Sequence, residues 1–179
     1  MSNWIQTYTN KKFFPLDPNP KDINIEDIAH ALSNKCRFSG HVNDYYSVAQ
    51  HSVLVSRCSP KEDRLWGLLH DASEAYLVDM PKPLKVLPEF QWFVDVENKL
   101  QEIIVASFGL DIVQPDSVHK ADKELLLAEK RDLVKYRPIE EWQIRHDDIQ
   151  PYPIKIIPML PKEAEKFFLE EFLMLTSLK

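Results

Sequence analysis

Apolar residues recur at intervals of three and four along most of the chain, which is the spacing of an amphipathic helix. In residues 24–34, Ile28 and Leu32 share such a face, and Asn24 can cap the first turn. The same spacing predicts further helices over residues 47–57, 89–108, 116–133 and 162–177. The pattern therefore indicates a mostly helical chain.

Another helix is predicted from Ser59 to about Leu77. The segment Ser59-Pro60-Lys61-Glu62 has the form of a capping box with proline at the first helical position. The prolines that follow Asp79 cannot continue a helix, so the element should end before them. It would present leucine and alanine side chains toward the core.

The ends of the chain have a different pattern. Aromatic residues and a proline-rich stop predict an extended arm or hairpin at the N-terminus. The proposed organisation is a single domain, 1–179, with an arm (1–22), a helical core (24–135), an irregular segment (137–160) that could act as a lid, and a C-terminal helix (162–177). The predicted fold class is all-α, a bundle of about six or more helices with a short N-terminal arm or hairpin.

Composition narrows the function classes. The 179 residues include 3 glycines and 13 prolines, and Gly40, Gly67 and Gly109 each stand alone. A P-loop and a Rossmann turn both need clustered glycines, so neither is expected. The formal charge of −6 argues against a nucleic-acid polymer as partner. Without an apolar run of membrane length, and with two isolated cysteines, we expect a cytoplasmic protein with no membrane partner.

Three polar residues interrupt the apolar pattern of the 59–77 segment. His70 and Glu74 are four residues apart, and Asp71 and Glu74 are three apart, so all would cluster on one side of a helix. Burying an imidazole and two carboxylates without partners is costly. A divalent cation bound by His70 and Asp71, with Glu74 just outside its ligand shell, would remove that cost. A salt-bridged helix surface is the alternative that this segment leaves open.

Two more residues could complete a metal site. His51 lies at helical spacing from Val48 and Val55, where a buried core histidine would explain it equally well. Asp122 precedes a run of leucines and could be an exposed helical residue. Asp132, farther along the same predicted helix, competes with Asp122 for the role.

The order of His51, His70-Asp71 and Asp122 resembles the motif of the HD superfamily of metal-dependent phosphohydrolases. The likeness is greatest to its small 5′-deoxynucleotidase and deoxynucleoside triphosphate phosphohydrolase branch. The matching strings are Arg37-Phe38 and residues 47–52, 70–75, 79–85 and 120–122. They span about residues 24–135, and they imply an HD-domain helical bundle.

The resemblance implies roles for individual residues. The family's metal ligands match four positions: His51, His70, Asp71 and Asp122. Its catalytic acids match Glu74 and Asp79. The resemblance thus implies that one set of residues binds the metal and another set acts in acid–base catalysis.

Substrate contacts are implied around the same motif. Arg37 matches an arginine that holds the substrate phosphate, and Phe38 stands where bacterial 5′-deoxynucleotidases have a tryptophan against the sugar. That difference leaves sugar selection open. His41, Lys82 and Lys85 could add to the phosphate or substrate site, with a solvated position as the alternative for each lysine.

The implied activity is removal of phosphate from nucleotides, above all from 2′-deoxynucleoside mono-, di- or triphosphates or analogues, by a metal-activated water. Imidazole and carboxylate ligands suit one divalent ion among Co²⁺, Mn²⁺, Mg²⁺, Fe²⁺ and Ni²⁺. The alternatives are a non-catalytic nucleotide- or metal-binding protein and a cyclic-nucleotide phosphodiesterase. The shortage of further suitably spaced histidines favours one metal and disfavours the phosphodiesterase. The expected partner is a nucleotide substrate, and homo-oligomerisation stays open.

Overall fold

The computed structural model describes residues 3–135 and 149–177, and these ranges are mostly helical. Their helices are α1 (Ile25–Ser33), α2 (Val48–Cys58), α3 (Arg64–Leu69), α4 (Lys82–Lys85), α5 (Gln91–Ser107), α6 (Asp116–Leu133) and α7 (Pro161–Thr176). Two short antiparallel strands, β1 (Ile5–Gln6) and β2 (Lys12–Phe13), precede them. The predicted all-α class with an N-terminal hairpin is confirmed.

Several helices begin and end at the residues that the sequence indicated. Asn24 accepts the backbone N–H of Glu26 at 2.8 Å and so caps α1. The Ser47 hydroxyl accepts the N–H of Gln50 at 3.1 Å and caps α2. Helix α5 stops just before Gly109, which has a left-handed backbone with φ of 74°. Local capping chemistry therefore sets these boundaries.

The single helix predicted over residues 59–77 is wrong. The Ser59 hydroxyl donates to the carbonyl of Val55 at 2.8 Å, so it closes α2 and does not cap the next helix. A 3-10 turn leads into α3, which ends at Leu69. A second 3-10 helix, Ala72–Ala75, follows after a break at His70 and Asp71. Apolar spacing alone does not distinguish one long helix from two short ones with a break between them.

The N-terminal hairpin is tied to the helical core. Phe13 is fully buried, and its ring stacks on Tyr76 with centroids 3.9 Å apart. The backbone N–H and hydroxyl of Thr9 donate to the carboxylate of Asp27 on α1 at 2.6 and 2.9 Å. An aromatic anchor and a buried carboxylate thus fix the arm to the core.

Part of the predicted irregular segment lies outside the described residues, namely 137–148. Its remainder, 149–160, contains neither helix nor strand. Gln50 on α2 fastens this stretch by donating to the carbonyl of Ile157 at 2.7 Å and accepting the N–H of Met159 at 2.9 Å. The lid stays a prediction.

Helix α2 lies centrally in the packing and contacts α1, α3, α6 and α7. It approaches α3 so closely at Gly67 that a Cβ there would lie 3.0 Å from Cα of Ser56. This crossing brings the end of α3 beside the buried His51 of α2. In the described ranges, no helix combines the length and the apolarity that a membrane crossing needs.

Candidate metal centre

Side chains from α2, from the end of α3 and from α6 converge on one point. The ligand atoms of His51, His70 and Asp71 all lie within 4.8 Å of one another. Oδ1 of Asp122 lies 3.2 Å from Nε2 of His51 and 4.0 Å from Nε2 of His70. The structure thus brings together the four residues predicted to be metal ligands.

The two imidazole rings present the same nitrogen to each other. Nε2 of His51 lies 3.2 Å from Nε2 of His70. Nδ1 of His70 lies 2.8 Å from the carbonyl oxygen of Gly67, and Nδ1 of His51 lies 2.6 Å from Oε1 of Glu129. With Nδ1 as the donor in both rings, both Nε2 lone pairs face one point, as two ligands of a single ion would.

The break after α3 allows two adjacent residues to reach this point. In a continuous α-helix, adjacent side chains point about 100° apart. Asp71 instead has φ of −105° and ψ of 17°. Its Oδ2 consequently lies 3.2 Å from Nε2 of His70 and 3.6 Å from Nε2 of His51. The structure therefore brings His70 and Asp71 together, but through a break in the backbone and not on one side of the continuous helix that the sequence predicted.

Asp132 lies elsewhere, which resolves its competition with Asp122. It pairs with Arg131 at 2.7 Å and accepts the N–H of Ile156 at 2.8 Å. Asp132 therefore fastens the 149–160 stretch to α6. Asp122 is the α6 carboxylate beside the imidazoles.

Glu129 is a site residue that the sequence reasoning missed. Its fully buried Oε1 lies 2.6 Å from Nδ1 of His51 and accepts the Tyr46 hydroxyl at 2.8 Å. Its Oε2 accepts Nη2 of Arg37 at 3.2 Å. Glu129 comes seven residues after Asp122 on α6, and two helical turns place the two on the same face. That spacing is the signal that could have found it.

Charges around the cluster favour a cation within it. Burial and Arg37 lower the pKa of His51, but Glu129 and a hydrogen bond to Asp122 outweigh them and raise it to about 9. Burial raises the pKa of Asp122, yet its hydrogen bond to His51 and the charges of His51 and His70 lower it to about 2. Burial likewise opposes ionisation of Glu129, while Arg37 and His51 hold its pKa below the usual value. The carboxylates thus attract positive charge to the imidazoles.

The donor set fits the divalent metal that the resemblance implies. Two imidazole nitrogens and the carboxylates of Asp71 and Asp122 form a borderline site that first-row divalent ions accept. The two Nε2 atoms, held closer than two uncharged acceptors would prefer, would both be satisfied by one cation.

Of the residues predicted to bind substrate, Arg37 reaches the cluster. Its Nη1 lies 3.5 Å from Oδ2 of Asp71, and its guanidinium lies 5.6 Å from the ring of Phe38. Phe38 and Ser39 have left-handed backbones with φ of 55° and 52°, a strained arrangement for two successive non-glycine residues. They turn the chain sharply after Arg37. His41 follows the turn and is exposed.

A second group of charges lies beside the metal cluster. Glu74 is only 5% exposed, and its Oε1 lies 3.9 Å from Nζ of Lys85. Lys85 pairs more closely, at 2.7 Å, with Glu97 on α5. Nζ of Lys35 donates to the backbone carbonyls of Glu74 and Leu77. The sequence reasoning missed Lys35 and Glu97, which lie in different elements from Glu74.

The remaining predicted residues differ in exposure. Asp79 is half-buried, and Lys82 is exposed at the start of α4. Burial, followed by the charges of Asp71 and Asp79, raises the pKa of Glu74 well above its usual value. Asp79 therefore belongs to the electrostatic surroundings of Glu74, whereas in the described ranges Lys82 forms no hydrogen bond or ion pair with the cluster residues.

The fold and the cluster together define a class: a mostly helical protein with a His-His-Asp group that could hold a metal ion. The chain belongs to the family of YfdR, a protein of Escherichia coli (strain K12) described as uncharacterized. The two are 38% identical over 181 residues, covering 99% of this chain and 98% of YfdR. An uncharacterized Rhodobacter capsulatus protein is 38% identical over 129 residues, 67% of this chain and 65% of that protein. No protein-family model matches the chain.

Proposed function

We propose that this chain is a metal-dependent phosphohydrolase of the HD superfamily that removes phosphate from nucleotides, most directly from 2′-deoxynucleoside mono-, di- or triphosphates or analogues. The observation that carries the proposal is the convergence of His51, His70 and Asp71, with Asp122 and Arg37 in contact with them. Candidate metal ligands beside a half-buried arginine combine two features that phosphoryl transfer uses, a cation and a guanidinium.

His51, His70, Asp71 and Asp122 would hold one divalent ion, with Co²⁺, Mn²⁺, Mg²⁺, Fe²⁺ and Ni²⁺ as the candidates. When bound, such an ion acts as a Lewis acid on a phosphoryl oxygen and lowers the pKa of a coordinated water. The protein's part is to fix four ligands from three separate elements around that position.

Arg37 would bind the substrate phosphate. Its guanidinium is held from one side by Glu129 at 3.2 Å and approaches Asp71 at 3.5 Å. Its Nε is buried without a hydrogen-bond partner among the described residues. A planar guanidinium fixed in this way offers N–H donors to two phosphate oxygens at once.

Glu74 would take up the proton that the attacking water loses. Its buried Oε2 has no hydrogen-bond partner in the described ranges, and its pKa is raised by burial and by the charges of Asp71 and Asp79. A carboxyl group with a raised pKa can take up a proton at Oε2 at a pH where an exposed glutamate would not. Asp79 would assist as the second acid, and Lys85 would moderate the negative charge.

The test is phosphate release from a panel of ribo- and 2′-deoxynucleoside mono-, di- and triphosphates, with Co²⁺, Mn²⁺ and Mg²⁺ varied and the products separated. We expect activity that is lost with chelator and restored by metal. Asp71→Asn should reduce it by about 100-fold or more, because it removes a metal ligand. Asp132→Asn is the matched control, an aspartate outside the cluster, and should keep near wild-type activity.

Two results would contradict the proposal. One is hydrolysis that survives chelation or the Asp71→Asn substitution. The other is tight nucleotide and metal binding with no product from any member of the panel, which would indicate the non-catalytic alternative. If a cyclic nucleotide added to the panel is opened to its nucleoside monophosphate while no other member is hydrolysed, the phosphodiesterase is favoured instead.

A further inference from the structure

We propose that Glu129 is a positioning residue that joins the metal centre to the phosphate-binding arginine: it orients His51 for the metal and Arg37 for the substrate through the two oxygens of one carboxylate. The inference rests on the proposed function for the role of Arg37. The part concerning the metal stands on the geometry alone.

The two imidazoles of the cluster are held in different ways. His70 is oriented by its own turn, because Nδ1 contacts the carbonyl of Gly67 only three residues earlier. Nδ1 of His51 has no such partner within the described part of its own helix and instead contacts Oε1 of Glu129, 78 residues away, at 2.6 Å. The orientation of His51 therefore depends on a tertiary contact with α6.

The environment of Glu129 is that of a fixed anchor. The carboxylate is fully buried, and its partners come from the Arg37 turn, from Tyr46 and from α2. The Tyr46 hydroxyl donates a hydrogen bond at 2.8 Å to Oε1, the same oxygen that contacts His51. A carboxylate held at both oxygens keeps the Nδ1 proton of His51 toward itself and leaves Nε2 free for a metal.

The second oxygen gives Glu129 its link to substrate binding. Oε2 accepts Nη2 of Arg37 at 3.2 Å, while Nη1 of the same guanidinium lies 3.5 Å from the metal-cluster residue Asp71. A glutamine at this position would keep the shape of the side chain and lose the charge. One substitution should consequently weaken both metal binding and phosphate binding.

Glu171 provides a matched control. It is also a buried glutamate, 2% exposed, and its Oε2 accepts a hydrogen bond from Nε of Arg57, a residue of α2, at 2.8 Å. It has the same residue type, burial and arginine pairing, but it lies on α7 with Arg57 as its partner. A purely structural role for Glu129 predicts that Glu129→Gln and Glu171→Gln behave alike.

The experiment measures Co²⁺ affinity by chelator competition, together with the visible spectrum of bound Co²⁺ and the thermal unfolding of each full-length variant. We expect Glu129→Gln to weaken Co²⁺ binding by about 10–100-fold and to change the spectrum. Glu129→Asp should recover part of the affinity because it keeps the charge. Glu171→Gln should bind Co²⁺ like the wild type even if it unfolds at a lower temperature.

A Glu129→Gln protein that binds Co²⁺ as the wild type does, or that loses no more affinity than Glu171→Gln, would overturn the inference, as would a wild type that binds no Co²⁺. If Glu129→Gln does not fold, Tyr46→Phe is the deciding variant, because it removes one hydrogen bond to Oε1 of Glu129. A Co²⁺ affinity below that of the wild type supports the inference, and an unchanged affinity overturns it. A wild type that binds Co²⁺ but hydrolyses no nucleotide would end the proposed function and leave the role of Glu129 toward the metal intact.

Discussion

His51 and His70 point their Nε2 atoms at each other across 3.2 Å, although His51 lies on α2 and His70 lies in the break after α3. Since both Nδ1 atoms have partners, a cation shared by the two Nε2 atoms would satisfy both rings. We expect added Co²⁺ to raise the melting temperature. At 100 times the dissociation constant the gain is about 2.7 kcal/mol, or roughly 5–10 °C for a chain of this size.

His70→Ala should abolish this thermal shift because it removes one of the two converging nitrogens. His119→Ala is the control, since His119 is exposed on α6. Differential scanning fluorimetry with and without Co²⁺ measures the effect. A wild-type shift that persists in His70→Ala would show that Co²⁺ binds elsewhere.

The two aspartates of α6 should differ in a metal titration. Asp122 lies 3.2 Å from Nε2 of His51, whereas Asp132 holds the backbone of Ile156. Asp122→Asn should therefore weaken Mn²⁺ binding by about 10-fold or more in isothermal titration calorimetry, because a neutral amide is a poorer ligand. Asp132→Asn should leave the binding isotherm unchanged and lower the free energy of unfolding by about 1 kcal/mol. Equal isotherms for the two variants would count against Asp122 as a ligand.

Lys35 should stabilise the segment that carries Glu74. Its ammonium donates to the carbonyls of Glu74 and Leu77, and Lys35→Met removes both hydrogen bonds while keeping a long apolar stem. We expect a loss of about 1–3 kcal/mol in urea unfolding and faster hydrogen exchange at the amides of Tyr76 and Leu77. Lys82→Met, at an exposed position, is the control. Unchanged exchange at these amides would show that the turn does not depend on Lys35.

Gly67 should be intolerant of a side chain. A Cβ there would lie 3.0 Å from both Cα of Ser56 and Oγ of Ser59, so α2 and α3 would have to move apart. We expect Gly67→Ala to cost about 1–3 kcal/mol in urea unfolding. Ala106→Ser, on the exposed side of α5, should stay within about 0.5 kcal/mol of the wild type. A Gly67→Ala protein of wild-type stability would mean that the crossing can relax at little cost.

Much of the helical fold was predictable because its signals are local. Asn24 and Ser47 cap their own helices, and Gly109 follows the end of α5. The 59–77 segment was predicted wrongly because its local capping signal belongs to the preceding helix. Ser59 could have capped a following helix, but its hydroxyl is used by Val55 of the preceding one.

In the candidate site, too, some features follow from the sequence and others only from tertiary packing. The sequence by itself identified the candidate metal ligands, because the order of His51, His70-Asp71 and Asp122 resembles the HD motif, whereas the local spacing of each residue also fitted a role without a metal. Only the tertiary structure decided that Asp122 and not Asp132 faces His51, and that Glu129 holds both His51 and Arg37. The physical reason is that a helical face is defined by local spacing, whereas the partner of a buried charge is decided by the packing of elements distant in the chain.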